Sequence, residues 1–81
     1  MPHRTTRYAD SQVLRDVGAA VRRLRKAAGL SQESLANDAE IDRSYFGAIE
    51  RAEVNLTLMT FVRVCDELGA LPSEVLQQAG M

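Results

Sequence analysis

Apolar residues recur at three- and four-residue spacing through most of this chain, and that spacing predicts helices rather than strands. Leu14, Val17, Val21, Leu24 and Ala28 share one helical face. Asp10 or Ser11 can cap its start and Gly29 follows its last apolar position, so a first helix is expected over residues 11–28. Gly18 lies off the main stripe and should weaken this helix slightly. Leu30 returns to the core, and Ser31 can cap a short second helix from Gln32 to about Asp38, with Glu33 favourable at its positive end. Asp42 is the natural cap of a third helix, Arg43 to about Arg51, with Ile41 placed to pack on Phe46 as a hydrophobic staple. After a polar loop, Thr57 can cap a fourth helix whose core stripe is Leu58, Phe61, Val62, Cys65 and Leu68, and Gly69 stops it. Pro72 pre-sets a first turn and Ser73 offers a capping hydroxyl for a last short helix through Val75, Leu76 and Ala79. With no sustained period-two alternation, the chain reads as all-α with five helices: a flexible polar arm over residues 1–9 and one domain over residues 10–81.

The stretch from Ser31 to Arg51, SQESLANDAEIDRSYFGAIER, organises the rest. Leu35, Ala36, Ala39, Ile41, Phe46 and Ile49 are grouped so that two short helices meeting at a steep angle share one small core. Gln32, Arg43, Ser44 and Tyr45 are left to face outward. That is the helix-turn-helix arrangement, in which the second helix enters the DNA major groove.

Charge changes the picture more by its distribution than by its sum. The 81 residues carry ten Lys and Arg against eleven Asp and Glu, a formal net charge of −1, which argues against binding nucleic acid through bulk basicity. Residues 1–30 hold seven of the cations and two of the acids; residues 31–81 hold three cations and nine acids. One face should therefore be basic and another acidic. The single cysteine, Cys65, excludes an internal disulfide and reads as a small buried hydrophobe; His3, the one histidine, sits in the polar arm without partners. With no nucleophile beside an activating base, no metal-ligand spacing and no phosphate-binding glycine loop, neither an enzyme nor a cofactor is expected. No apolar run approaches membrane-spanning length and no signal-peptide pattern opens the chain, so a soluble protein of the cell interior is expected.

Read from Gln32 as the first of twenty positions, Ala36, Ile41, Phe46 and Ile49 fall where a helix-turn-helix needs its small crossing residue and its shared apolar core. The phrases GLSQESLA, IDRSYFGAIER and NLTLMTF closely resemble the lambda-repressor-like, Cro-type helix-turn-helix family, also called the xenobiotic-response-element family. DRSYFGAIER followed by NLTL looks most like the controller proteins of bacterial restriction-modification systems, and phage repressors and antitoxins share much of it. The resemblance spans about residues 14–79. It implies a five-helix lambda-repressor-like domain, cytoplasmic and nucleoid-associated in a bacterium or phage.

It also implies roles. Gln32 matches a glutamine that hydrogen-bonds a DNA phosphate, and Arg51, Asn55 and Thr57 match further phosphate contacts. Arg43 and Ser44 match positions that reach base edges, Tyr45 offers a hydroxyl and an aromatic body, and Ala48 could touch only apolar base surface. Asp42 reads as a helix cap rather than a cytosine reader. Gly47, in the middle of the third helix, costs about 1 kcal/mol relative to alanine; it either lets the helix approach the duplex closely or is simply tolerated. Arg25 and Glu50 match a structural ion pair. Two departures stand out: Glu40 replaces the usual turn glycine, and Ala52, followed by the acid Glu53, replaces the glycine after the third helix.

The expected function is a sequence-specific transcriptional regulator binding a palindromic double-stranded operator as a homodimer, since one recognition helix reads too few base pairs. Val64, Leu71, Val75 and Leu76, a surplus of apolar residues on the last two helices, are the expected dimer interface, and no small-molecule ligand is expected. The alternative is a protein-interaction module or antitoxin on the same fold, favoured by the acidic C-terminal half and Glu53.

Overall fold

The computed structural model of the protein describes residues 11–81. The arm expected over residues 1–9, with His3, and the alternative cap Asp10 lie outside the described residues. These form five helices and no strand: α1 (Gln12–Ala27), α2 (Gln32–Asp38), α3 (Arg43–Glu50), α4 (Leu58–Leu68) and α5 (Pro72–Gln78).

Hydroxyl caps start three of them. Ser11, Ser31 and Thr57 each accept from the backbone N–H three residues on, at 3.3, 3.0 and 3.2 Å. Two helices start differently from expectation. Asp42 occupies the N-cap position of α3 but makes no side-chain bond to the helix backbone; its carboxylate accepts from the Ser44 hydroxyl at 3.0 Å instead. Ser73 lies inside α5, which begins at Pro72, and the start is secured by Glu74, whose carboxylate accepts from the Leu71 N–H at 2.7 Å. That contact is the reaching-back half of a capping box.

All five helices end in one way. The N–H of the residue just past a left-handed one returns to a carbonyl five residues earlier: Leu30 to Arg25, Ile41 to Ala36, Glu53 to Ala48, Ala70 to Cys65 and Met81 to Leu76, at 2.9–3.1 Å. This closure needs a left-handed residue in between, normally glycine. Gly29, Gly69 and Gly80 supply it for α1, α4 and α5, but Glu40 (φ 60°) and Ala52 (φ 61°) must do so on either side of α3. The turn before α3 is thus the ordinary left-handed one without its glycine.

The core draws on every helix: Val17, Ala20 and Val21 from α1, Leu35 and Ala36 from α2, Phe46 and Ile49 from α3, Phe61, Val64 and Cys65 from α4, and Val75 from α5. α1 packs on α3 and α5, α2 on α3 and α4, and α4 on α5. Burial, and secondarily the Asp66 carboxylate, push the Cys65 thiol up to about 11, so it stays protonated and unreactive. The buried face of α4 differs from the expected stripe: Val64 is fully buried whereas Leu58, in the first turn, is 74% exposed. Val64 and Val75 therefore belong to the monomer's core and cannot form a dimer interface. Of the four residues expected there, Leu71 is exposed and Leu76 is half-buried.

Gly18 also has a different role from the one expected. It faces the end of α3, where a Cβ would stand 2.6 Å from the Ile49 carbonyl oxygen and 2.8 Å from that of Glu50. Backbone atoms cannot yield as a side chain can, so only glycine allows α1 and α3 to cross this closely. Gly18→Ala should lower stability by about 1 to 3 kcal/mol in denaturant unfolding despite alanine's better helix propensity. Glu40→Gly and Ala52→Gly should each raise it by about 1 kcal/mol, by relieving a side chain held in left-handed backbone.

Candidate nucleic-acid interface

The C-terminal end of α3 is tied down by a buried polar cluster. Arg25, in the last turn of α1, meets Glu50, the last residue of α3, in a bidentate pair: Nε to Oε2 at 2.6 Å and Nη2 to Oε1 at 3.1 Å. The Arg25 and Glu50 side chains are only 10% and 2% exposed. Two further bonds complete the cluster. Arg25 Nη1 donates to the Leu30 carbonyl at 2.9 Å, and Gln32 Nε2 donates to Glu50 Oε1 at 2.9 Å. The hydrogen bonds that Arg25 donates to Glu50, opposed by desolvation and aided by the carboxylate's charge, hold the Arg25 pKa above its already high ordinary value. Among the described residues no buried side-chain nitrogen or oxygen lacks a partner.

Gln32 is thereby oriented rather than loose. One of its amide hydrogens goes to Glu50, and its Oε1 lies toward Gly47, 3.7 Å from where a Cβ would stand. The same absent Cβ would lie 2.9 Å from Nη1 of Arg51. The missing side chain at Gly47 thus makes room for the Arg51 guanidinium, which neither sequence reading of this glycine anticipated. Arg51 Nε also pairs with Glu53 Oε1 at 3.1 Å, both side chains more than half exposed.

At the opposite end of α3, Arg43 and Ser44 are exposed, and Arg43 lines a small polar cleft with Glu33, Asn37 and Asp42. Tyr45 does not face wholly outward: it is half-buried and its ring packs against the core, as does Ala48's neighbour Ile49. Asn55 and Thr57 line an open, mainly apolar cleft of about 270 Å³ with Val13, Leu14 and Leu58. The Thr57 hydroxyl is engaged at the α4 cap and donates to Thr60 Oγ1 at 2.9 Å. On α1, Arg23 Nη2 donates to the Gln78 carbonyl at 2.8 Å and so ties down the end of α5, while Arg22 and Lys26 are exposed. Among the described residues no cluster of His, Cys, Asp and Glu could hold a metal ion, and no helix is long and apolar enough to cross a membrane.

Two short helices, α2 and α3, meeting through a left-handed turn, with α3 anchored at one end and presenting Arg43 and Ser44 at the other, match a family model described as a helix-turn-helix domain over residues 16–78. The chain belongs to the helix-turn-helix family. The control protein C.SmaI of Serratia marcescens is 36% identical over 61 residues, 75% of this chain and 73% of its own length. The crystal structure of the restriction-modification controller protein C.AhdI from Aeromonas hydrophila is 40% identical and superposes with a TM-score of 0.75, covering 76% of this chain and 94% of that one. The clp gene regulator ClgR of Corynebacterium glutamicum superposes at 0.84 with 27% identity, over 88% of this chain and 76% of that one.

In this helix-turn-helix the Arg25–Glu50 pair joins the end of α1 to the end of α3 through a buried, bidentate contact. A double-mutant cycle with Arg25→Ala and Glu50→Ala should give a coupling energy of about 2 to 3 kcal/mol, well above the 0 to 1 kcal/mol of an exposed pair. A coupling near zero would show that the pair does not hold α3.

Proposed function

We propose that this chain is a sequence-specific DNA-binding transcriptional regulator of the controller type, acting in the cytoplasm as a homodimer on a two-fold symmetric operator. The observation that carries the reading is the contrast between the two ends of α3: Glu50 is buried and bonded to both Arg25 and Gln32, while Arg43 and Ser44 stand exposed at the start. A helix so held can present its first turn to a groove without reorganising, and the arginine fork fits guanine O6 and N7.

Each residue then has a task. Arg43 and Ser44 read base edges, and the Ser44 hydroxyl is oriented by Asp42. Tyr45 and Ala48 contribute apolar contact from the half-buried flank of the same helix. Gln32 has a second amide hydrogen for a phosphate, and Arg51 and Asn55 offer exposed donors to the backbone. Thr57, its hydroxyl engaged in capping, contributes through the α4 start. Leu71, 63% exposed, carries the dimer reading, with Leu58 and Met59 at the other end of α4 as further exposed apolar surface.

Selection of bound duplexes from a random pool should recover two half-sites related by a two-fold axis; recovery of a single asymmetric site, or none, would overturn the operator reading. Arg43→Ala should relax preference at one base pair by about 1 to 3 kcal/mol, whereas Gln32→Ala should weaken all sequences alike. In sedimentation the chain should be dimeric without DNA and Leu71→Asp monomeric. A chain already monomeric at high micromolar concentration would remove the homodimer.

A further inference from the structure

The helix-turn-helix is acidic where a DNA-binding surface is expected to be basic. Residues 31–56 carry six acids and two arginines, Arg43 and Arg51. One of the acids, Glu50, is buried and neutralised by Arg25. Arg51 is therefore half of the cationic charge that this segment can offer a phosphate, and it is already in contact with an acid, Glu53, through Nε to Oε1 at 3.1 Å.

That contact is a product of the backbone. Residues two apart do not face each other on a helix. Here α3 has ended, Ala52 is left-handed at φ 61°, and the Glu53 N–H has turned back to the Ala48 carbonyl at 2.9 Å. The turn brings the Glu53 carboxylate alongside the Arg51 guanidinium, whose Nη1 passes over Gly47 toward Gln32. Both partners are exposed, at 56% and 57%, so the pair is weak enough to be exchanged. A phosphate approaching Arg51 must displace Glu53 or share the guanidinium with it.

We propose that Glu53 is a positioning residue that competes with DNA phosphate for Arg51 and thereby holds down the sequence-independent part of this protein's affinity. The inference rests on the DNA-binding reading above. An acid on this cation lowers binding to every sequence through the phosphate contact and leaves the base contacts of Arg43 untouched, so it raises the share of the affinity that depends on sequence.

The test is a salt titration of binding to the highest-affinity duplex from the selection, with wild type, Glu53→Gln, Arg51→Ala and the double variant. Glu53→Gln should bind up to about fivefold more tightly at low salt, the equilibrium equivalent of an exposed ion pair. Its log affinity against log salt should be steeper by about 0.9, one phosphate contact's worth. Added to Arg51→Ala, the same change should alter neither affinity nor slope. An unchanged slope in Glu53→Gln overturns the proposal, and so does equal tightening with and without Arg51, since the acid would then act on phosphates directly. A wild-type chain that binds no duplex removes the DNA-binding reading along with it, and is distinguishable from either of these results.

Discussion

Everything about the presentation of α3 depends on one buried ion pair. Glu50 is the last residue of α3, and its carboxylate is shared between the guanidinium of α1 and the first side chain of α2. A carboxylate this buried would be costly if unpaired, so the three helices are stable only in the arrangement that brings Arg25 and Gln32 to it. Arg25 also donates to the Leu30 carbonyl, which ties down the α1–α2 connection as well. From the other side, Gly18 lets α1 press onto the Ile49 and Glu50 carbonyls at a distance no other residue would allow. The end of α3 is thus gripped by charge and by sterics at the same place. Its other end needs no such grip, and that is where the exposed Arg43 and Ser44 lie.

The local cost of this arrangement is concentrated around the same helix. All five helices close on a left-handed residue, yet only the two closures flanking α3 lack glycine. At the first, Glu40 adds an acid to the turn between α2 and α3. At the second, Ala52 aims Glu53 at Arg51. Strain of about 1 kcal/mol at each is a sizeable share of the few kcal/mol by which a domain of this size is stable. The buried pair and the glycine crossing offset it by holding α3 against α1 independently of its turns.

Much of the fold was legible in the sequence, for reasons that vary by residue. Helix boundaries could be read because hydroxyl caps and C-terminal glycines act locally: Ser11, Ser31, Thr57, Gly29 and Gly69 each mark an end without reference to the rest of the chain. The stripe of α4 could be read at its centre, where Phe61 and Cys65 are buried and Leu68 packs on the core, but not at its edges: packing against α2 and α5 brings Val64 inside and leaves Leu58 out. Surplus apolar residues were likewise misassigned to a dimer interface when Val64 and Val75 were needed inside. Gly18 looked like a defect because helix propensity is a property of one helix, whereas its role belongs to a crossing of two. At the site, the Arg25–Glu50 pairing was visible only through resemblance, since a separation of 25 residues carries no periodic signal. The link from Gln32 to Glu50, the passage of the Arg51 guanidinium over Gly47 and the tie from Arg23 to Gln78 are three-dimensional facts with no trace in spacing.

The charge asymmetry of the chain takes on a definite meaning once the partners are known. The basic N-terminal third looks like an electrostatic surface, but two of its arginines are engaged in structure, Arg25 on Glu50 and Arg23 on the end of α5. Of that third's cations within α1, Arg15, Arg22, Arg23 and Lys26 are exposed, while the helix-turn-helix itself carries an acidic excess. The chain as a whole has a formal net charge of −1, so attraction to DNA depends on where these cations stand rather than on their sum. In the function proposed above, affinity comes from a few donors placed well: a guanidinium at the start of α3, a carboxamide braced by Glu50 at the start of α2, and what Arg51 can give. In that reading placement counts only if α3 is rigid, and the buried ion pair and the glycine crossing both hold the end of α3 against α1.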